Sequence, residues 1–367
     1  MDKVDLSELK AKKNCLLAFR NKKVNSFENS VEFINAFAGI GYYFDKISYI
    51  AFNDSTEIVR ALKDAKTNYE NTVIICPEEM KDTLTGFIEH QYSAKFSEIG
   101  ILKSGNSGVF ILYSDAENRL LVSDIKQVLD NKYGINYEKS YIKTIGAPVK
   151  KINGAVLKAK STCGDMEINI SDSYGDCRIE IIYSDKTPKS AHDKVMRIFA
   201  SELHGYIYAM DDLSIAEQLF RLLKLRRMKI SVAESFTGGG VGQKLVEIPG
   251  ISEVYFEGLN TYSNQAKVER LGVDQFTLQH FGAVSEQTAR EMAMGLLNSG
   301  NCDIAISTTG IAGPKSDNTS KPVGLLYIAA GTRDNIEVYE YKLKGDRATV
   351  TNTAINLALF LAYNTIK

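Results

Sequence analysis

Five cysteines, at positions 15, 76, 163, 177 and 302, are scattered through 367 residues with no CxxC pair and no metal-ligand spacing. An odd, dispersed set of this kind reads as reduced buried thiols and excludes a disulfide framework. Histidine is scarcer still: the four residues His90, His192, His204 and His280 lie apart from one another and from any acidic cluster, so a dedicated zinc site is not expected. Charge of one sign is also missing. Lysine plus arginine number 44 against 45 acidic residues, a net charge of −1, which does not imply nucleic acid as a partner. The most apolar stretch, AINLALFLAY at 354–363, is too short to span a bilayer, and the opening MDKVDLSELKAKKN lacks the apolar core of a secretion signal. A cytoplasmic protein with no membrane partner is expected.

What is present is ordinary globular material, 44% hydrophobic and 24% charged, in a chain too long for one core. Two or three domains are expected. Residues 15–113 alternate short apolar runs (CLLAF, ISYIAF, TVIIC, GVFILYS) with amphipathic helical patterns, which predicts a layered βαβ domain with a mainly parallel sheet. Its turns carry little chemistry: after TVIIC come Pro77, Glu78 and Glu79, a helix start favoured by proline's fixed φ and by the helix dipole. Residues 122–212 show helices around two strands joined through Tyr174-Gly175-Asp176, a small α+β unit. From residue 213 the helix SIAEQLFRLLKLRR leads into MKISVAES and a long α/β region, and its basic cluster reads as a solvated helix end. Of 27 glycines, 15 fall from residue 215 onward, so tight turns, and a site, are best sought there.

Four features of that region carry chemistry. Ala233-Glu234-Ser235-Phe236-Thr237-Gly238-Gly239-Gly240 ends a strand at hydroxyls and glycines, followed by the helix VGQKLVEI. Helix amides at such a turn can hold an oxyanion or phosphate, while the same serine can equally serve as an N-cap. The run is not GxSxG, GxGxxG or a Walker A loop. A nucleophilic serine needs a base, and His280, the one histidine of this part, reads as a helix end. The segment 258–267, with Tyr262, Asn264 and Lys267, passes from an extended stretch into a helix. Lys267 is a solvated helix lysine unless burial depresses its pKa enough to make it a base. Thr308-Thr309-Gly310, in TTGIAGP, suggests a second turn at a strand end, and Gly345-Asp346-Arg347 opens the last helix. Arg347 there opposes the helix dipole, a placement better understood if its guanidinium meets an anion.

Taken in order, AESFTGG, EIPGIS, TYSNQAK, LGV, FGAVSEQTA, TTGIAGP, KPVG and GDR resemble the C-terminal domain of the CinA family, which also forms the stand-alone PncC-type amidohydrolases of nicotinamide mononucleotide; the resemblance covers residues 213–367. It implies hydrolysis of the nucleotide's carboxamide to nicotinate mononucleotide and ammonia, in pyridine-nucleotide salvage. It further implies Ser235 as nucleophile, Lys267 as general base and Tyr262 as its hydrogen-bonding neighbour. Thr237, Gly238, Gly239, Asn264, Thr309, Gly310 and Arg347 would bind substrate, with oxyanion contacts from amides of residues 237–239 or of the Thr309-Gly310 turn. No metal or other cofactor is required, and a homodimer is implied. Upstream, the resemblance implies a molybdopterin-binding-like α/β/α domain at 1–114 and a KH-type α+β linker at 115–212, before a three-layer α/β/α amidase domain at 213–367. The first domain lacks the GTELL and TGGLGPTxDD motifs that carry a metal-dependent ADP-ribose pyrophosphatase in relatives, so no divalent metal is expected at Glu78 and Glu79. The linker lacks a GxxG loop, so its shape does not imply RNA binding. The alternatives are a nucleotide-binding interaction protein linked to competence, without turnover, or a residual pyrophosphatase.

Overall fold

The computed structural model describes residues 14–20, 26–51, 55–113, 122–316 and 320–367. The chain forms two compact units, residues 1–138 with 182–187 and residues 139–181 with 188–367. The boundary expected at 114/115 lies outside the described residues.

The first unit contains β1 (Asn14–Arg20), α1 (Ser26–Gly39), β2 (Lys46–Ala51), α2 (Ser55–Asn68), β3 (Asn71–Cys76), α3 (Lys81–Tyr92), β4 (Ile101–Ser104), β5 (Ser107–Tyr113) and α4 (Val122–Tyr133). The strands form one sheet in the order β2-β1-β3-β5-β4, parallel except for β4 against β5. Central β3 is buried along its whole length, as a parallel strand covered on both faces must be. Alternation sends Ile74 and Cys76 to the core built with α2 and α3, and Val73 and Ile75 to the core built with α1 and α4. Three layers result. Glu78 and Glu79 fall in a short 3-10 turn, and α3 begins only at Lys81.

The second unit carries two sheets. The smaller is built from β6 (Tyr137–Ile145), β7 (Glu167–Ser173), β8 (Asp176–Ser184) and β9 (Ile207–Ala209) in the order β7-β8-β6-β9, with α5 (Val149–Thr162) and α6 (Lys189–Glu202); one end of β6 and of β8 belongs to the first unit. Sequence patterning shows only β7 and β8 here. The run YEKSYIKTI of β6 carries a charged or hydroxyl side chain at most positions, and only Ile142, Thr144 and Ile145 are buried; β9, three residues long, is defined by its antiparallel pairing with β6.

The larger sheet is preceded by α7 (Ile215–Arg226), whose start is fixed by a capping box: Ser214 Oγ accepts from the Glu217 amide at 3.2 Å, and the Glu217 carboxylate accepts from the Ser214 amide at 2.7 Å. Then follow β10 (Ile230–Glu234), α8 (Gly240–Val246), β11 (Tyr255–Asn260), α9 (Asn264–Leu271), α10 (Gln275–His280), α11 (Glu286–Asn298), β12 (Ile304–Gly310), β13 (Leu325–Gly331), β14 (Ile336–Lys342) and α12 (Arg347–Ile366). The order is β11-β10-β12-β13-β14, with β10 parallel to both neighbours and the last two strands antiparallel. One face packs on α7, α8 and α12, the other on α9 and α11. The apolar stretch at 354–363 is the interior of α12, whose side chains from Ala354 to Ala362 are all buried. Asn356, on the same helix, donates to the Ser173 and Tyr174 carbonyls at 3.2 Å, tying the β7-β8 turn to α12.

The α9-α11 contact bears directly on the site, because α9 carries Lys267. At Gly295 of α11 a Cβ would stand 2.1 Å from the Leu271 carbonyl oxygen at the end of α9. Gly295→Ala should therefore force the helices apart and cost about 1–3 kcal/mol, read from the denaturant midpoint; an unchanged midpoint contradicts the close approach.

Candidate active site

Strands β10 and β11 end level with one another, Glu234 pairing with Asn260; on its other side Glu234 pairs with Thr308, from which β12 runs on to Gly310. Alternation then decides which side chains meet. Ala233 belongs to the core shared with α9 and α11, so Ser235, Thr261 and Thr309, the next residues of that parity on the three strands, face the same way. Glu234 and Thr308 face α8. A row of three hydroxyls thus crosses the carboxyl edge of the sheet, the usual place for a site in an α/β fold.

Lys267 reaches this row from the first turn of α9. The helix start is fixed by Ser263, whose hydroxyl accepts from the Ala266 amide at 3.1 Å. Lys267 is 0% exposed, and its Nζ lies 3.0 Å from Ser235 Oγ, 2.6 Å from the Thr261 carbonyl oxygen and 3.3 Å from that of Tyr262. Burial alone pulls its pKa from 10.5 down to about 8, because a desolvated ammonium is disfavoured relative to the neutral amine. With two carbonyls taking the N–H groups of the neutral amine, its lone pair is left for the serine proton.

Ser235 is held by the surrounding backbone. Its amide donates to the Thr308 carbonyl at 3.1 Å, and the Thr261 amide donates to the Glu234 carbonyl at 2.8 Å. The same residue, Thr261, therefore links the strand that leads to Ser235 with the Lys267 amine. The turn beyond Ser235 needs left-handed backbone at Gly238 and Gly239, with φ of 64° and 100°. The Thr237 hydroxyl bonds that of Thr308 at 2.7 Å, on the α8 face.

Glu234 is the residue the motif reading missed. Its buried carboxylate accepts from the amides of Gly239 at 3.0 Å, Val241 at 3.1 Å and Gly242 at 2.8 Å, so the anion at the start of α8 is the chain's own. The signal available was an acid in an otherwise apolar strand, immediately before the serine. The expected anion site is corrected accordingly. Gly239 is committed to Glu234, and the Gly238 amide donates to the Ser235 carbonyl at 3.1 Å. The amides of Phe236 and Thr237 donate to no other group among the described residues. Thr309 and Gly310 form no turn: they are the last residues of β12, paired with Tyr327 and Leu326, and the Thr309 hydroxyl donates to the Ala283 carbonyl at 2.6 Å.

The other expected residues sit less centrally. Tyr262 meets Lys267 through its carbonyl, while its side chain is 68% exposed. Asn264 is exposed at the first position of α9. Arg347 opens α12 behind the N-cap Asp346 and donates to the Gly313 carbonyl at 2.7 Å, bracing the loop after β12. His280 stacks on Phe276 and bonds its carbonyl.

The segment that carries these residues, α7 to α12, is matched by a known family. The family model for the CinA C-terminal domain matches residues 212–366. A protein of Caldicellulosiruptor saccharolyticus named as competence-damage inducible is 32% identical over 338 residues, 83% of this chain and 80% of that protein. The chain belongs to the CinA family. A Clostridium beijerinckii relative of the same name is 48% identical over 150 residues, 41% of this chain and 37% of its own length, and a CinA-like protein of Kosmotoga olearia is 46% identical over 158 residues, 43% of this chain and 38% of its own. The crystal structure of the competence/damage inducible protein CihA from Agrobacterium tumefaciens, 38% identical, covers 41% of this chain and 93% of its own, with a TM-score of 0.39.

Two measurements test the site. Labelling of Ser235 by an activated phosphonate should speed up as pH rises through about 8 and level off above it, since only the unprotonated Lys267 accepts the proton; a rise centred on the ordinary lysine value contradicts the burial argument. Glu234→Gln places an NH₂ group against at least one of three amide donors and should cost about 1–3 kcal/mol by denaturant unfolding; no loss of stability contradicts the capping role.

Proposed function

We propose that this CinA-family chain is an amidohydrolase that converts nicotinamide mononucleotide to nicotinate mononucleotide and ammonia in pyridine-nucleotide salvage. The observation that carries the reading is the buried Lys267 amine 3.0 Å from Ser235 Oγ, with its pKa drawn down to about 8. A serine hydroxyl is a weak nucleophile, and a base poised near neutral pH is what activates it. Lys267 takes the proton as Ser235 Oγ attacks the carboxamide carbon, and the uncommitted amides of Phe236 and Thr237 meet the charge developing on the oxygen. Lys267 then passes its proton to the departing amine, and ammonia leaves an acyl group on Ser235. Water attacks that ester, again giving its proton to Lys267, and the acid departs.

The nucleotide as substrate rests on family membership, and Arg347, the one basic side chain of the GDR motif, is proposed to meet an anionic part of it. The proposal includes a homodimer in the cytoplasm with no resident metal. No helix among the described residues is long and apolar enough to cross a membrane.

Ammonia release from nicotinamide mononucleotide by the purified chain is the test. Activity is expected with and without chelator, and Ser235→Ala or Lys267→Met should lower it about a thousandfold or more. Absence of ammonia, or an undiminished rate in Ser235→Ala, defeats the proposal; tight nucleotide binding without product would instead favour an interaction protein.

A further inference from the structure

Three buried side-chain oxygens have no hydrogen-bond partner among the described residues: Thr144 Oγ1, Ser231 Oγ and Thr261 Oγ1. Ser231 and Thr144 each lie against a thiol, of Cys302 and Cys177 respectively. Thr261 has no such neighbour. It is 0% exposed, yet it stands in the hydroxyl row beside Ser235, and its own carbonyl takes the Lys267 amine at 2.6 Å. Burying a hydroxyl unpaired costs stability, and valine would fill the same volume without that cost. A buried hydroxyl left unpaired by the chain beside Ser235 and Lys267 calls for a partner from outside the chain.

We propose that Thr261 Oγ1 holds the water that releases the acyl group from Ser235. This rests on the Ser235-Lys267 amidase reading and adds a third catalytic residue to it. In the second half-reaction the water oxygen bonds to the acyl carbon while one of its protons moves to Lys267 Nζ. The bond between that carbon and Ser235 Oγ then breaks, and Lys267 returns the proton to Oγ, so water and acyl-serine become acid and free serine. Lys267 binds one O–H of the water. Thr261 Oγ1 accepts the other, which turns a lone pair toward the acyl carbon. Thr309, the corresponding hydroxyl on the other side of Ser235, is already engaged with the Ala283 carbonyl.

The substitution Thr261→Val separates this role from packing. The full-length chain would be mixed with 4-nitrophenyl acetate, following the burst and the steady rate of nitrophenol release, with intact mass to detect acetyl-Ser235. Thr261→Val should acylate within about twofold of the wild-type rate, turn over about tenfold more slowly and accumulate the acyl form. Its thermal midpoint should equal or exceed that of the wild type, since the orphan is gone, and Thr261→Ser should restore turnover. A merely structural hydroxyl would move stability and leave deacylation alone. Wild-type turnover in Thr261→Val overturns the inference and leaves the amidase reading intact. A wild-type chain never acylated at Ser235 overturns both. If valine prevents folding, Thr261→Ala in the same assay carries the comparison, with the same slow deacylation expected.

Discussion

One buried amine organises the carboxyl edge of the larger sheet. Taking the Lys267 side chain out of water is unfavourable for its charged form, and nothing but burial enters its pKa shift. Two backbone carbonyls and one hydroxyl compensate. Neutral groups of this kind satisfy the N–H bonds without stabilising the ammonium as a carboxylate would. A lysine pKa drawn down to about 8 follows from what surrounds the amine and equally from what is kept away from it.

The acid that could spoil this arrangement is next in sequence but on the other face of the strand. Glu234 immediately precedes Ser235, and the period of two along β10 sends it through to the opposite face, where three amides of the α8 turn receive it. A slip of one residue in register would exchange the two, placing a carboxylate beside Lys267 and the Ser235 hydroxyl among amides. Burial of Ile230 and Val232 in one core and of Ala233 in the other opposes such a slip. Fold and site are therefore coupled through register: pairing that keeps the sheet's two cores apolar also separates the Glu234 carboxylate from the Lys267 amine.

Much of the architecture was legible in the pattern of apolar residues. Buried parallel strands such as NTVIIC and ISVAE announce themselves because both faces are covered, and α7 and α12 begin at capping residues visible in sequence. Harder to see were β6, whose charged alternation resembles a surface segment, and β9, whose three residues acquire strand character only from a partner distant in sequence. TTG looked like a turn because threonine and glycine frequent turns. It is strand because β13 lies antiparallel beside it, and at Gly310 a side chain would collide with Leu326, its Cβ falling 2.5 Å from that of Leu326.

The candidate site divides along the same line. Sequence alone determined the family, the placement of Ser235 at a strand end and the presence of one lysine at the head of a helix, since these are local patterns of residue type and spacing. Only the tertiary structure decided that Lys267 is dry, that Tyr262 contributes a carbonyl in place of its ring, and that the glycine turn is filled by the chain's own Glu234. The reason is physical: burial and hydrogen-bond partnership arise from segments brought together across the sheet, 32 residues apart for Ser235 and Lys267, and no local pattern encodes which side chain will lose its water.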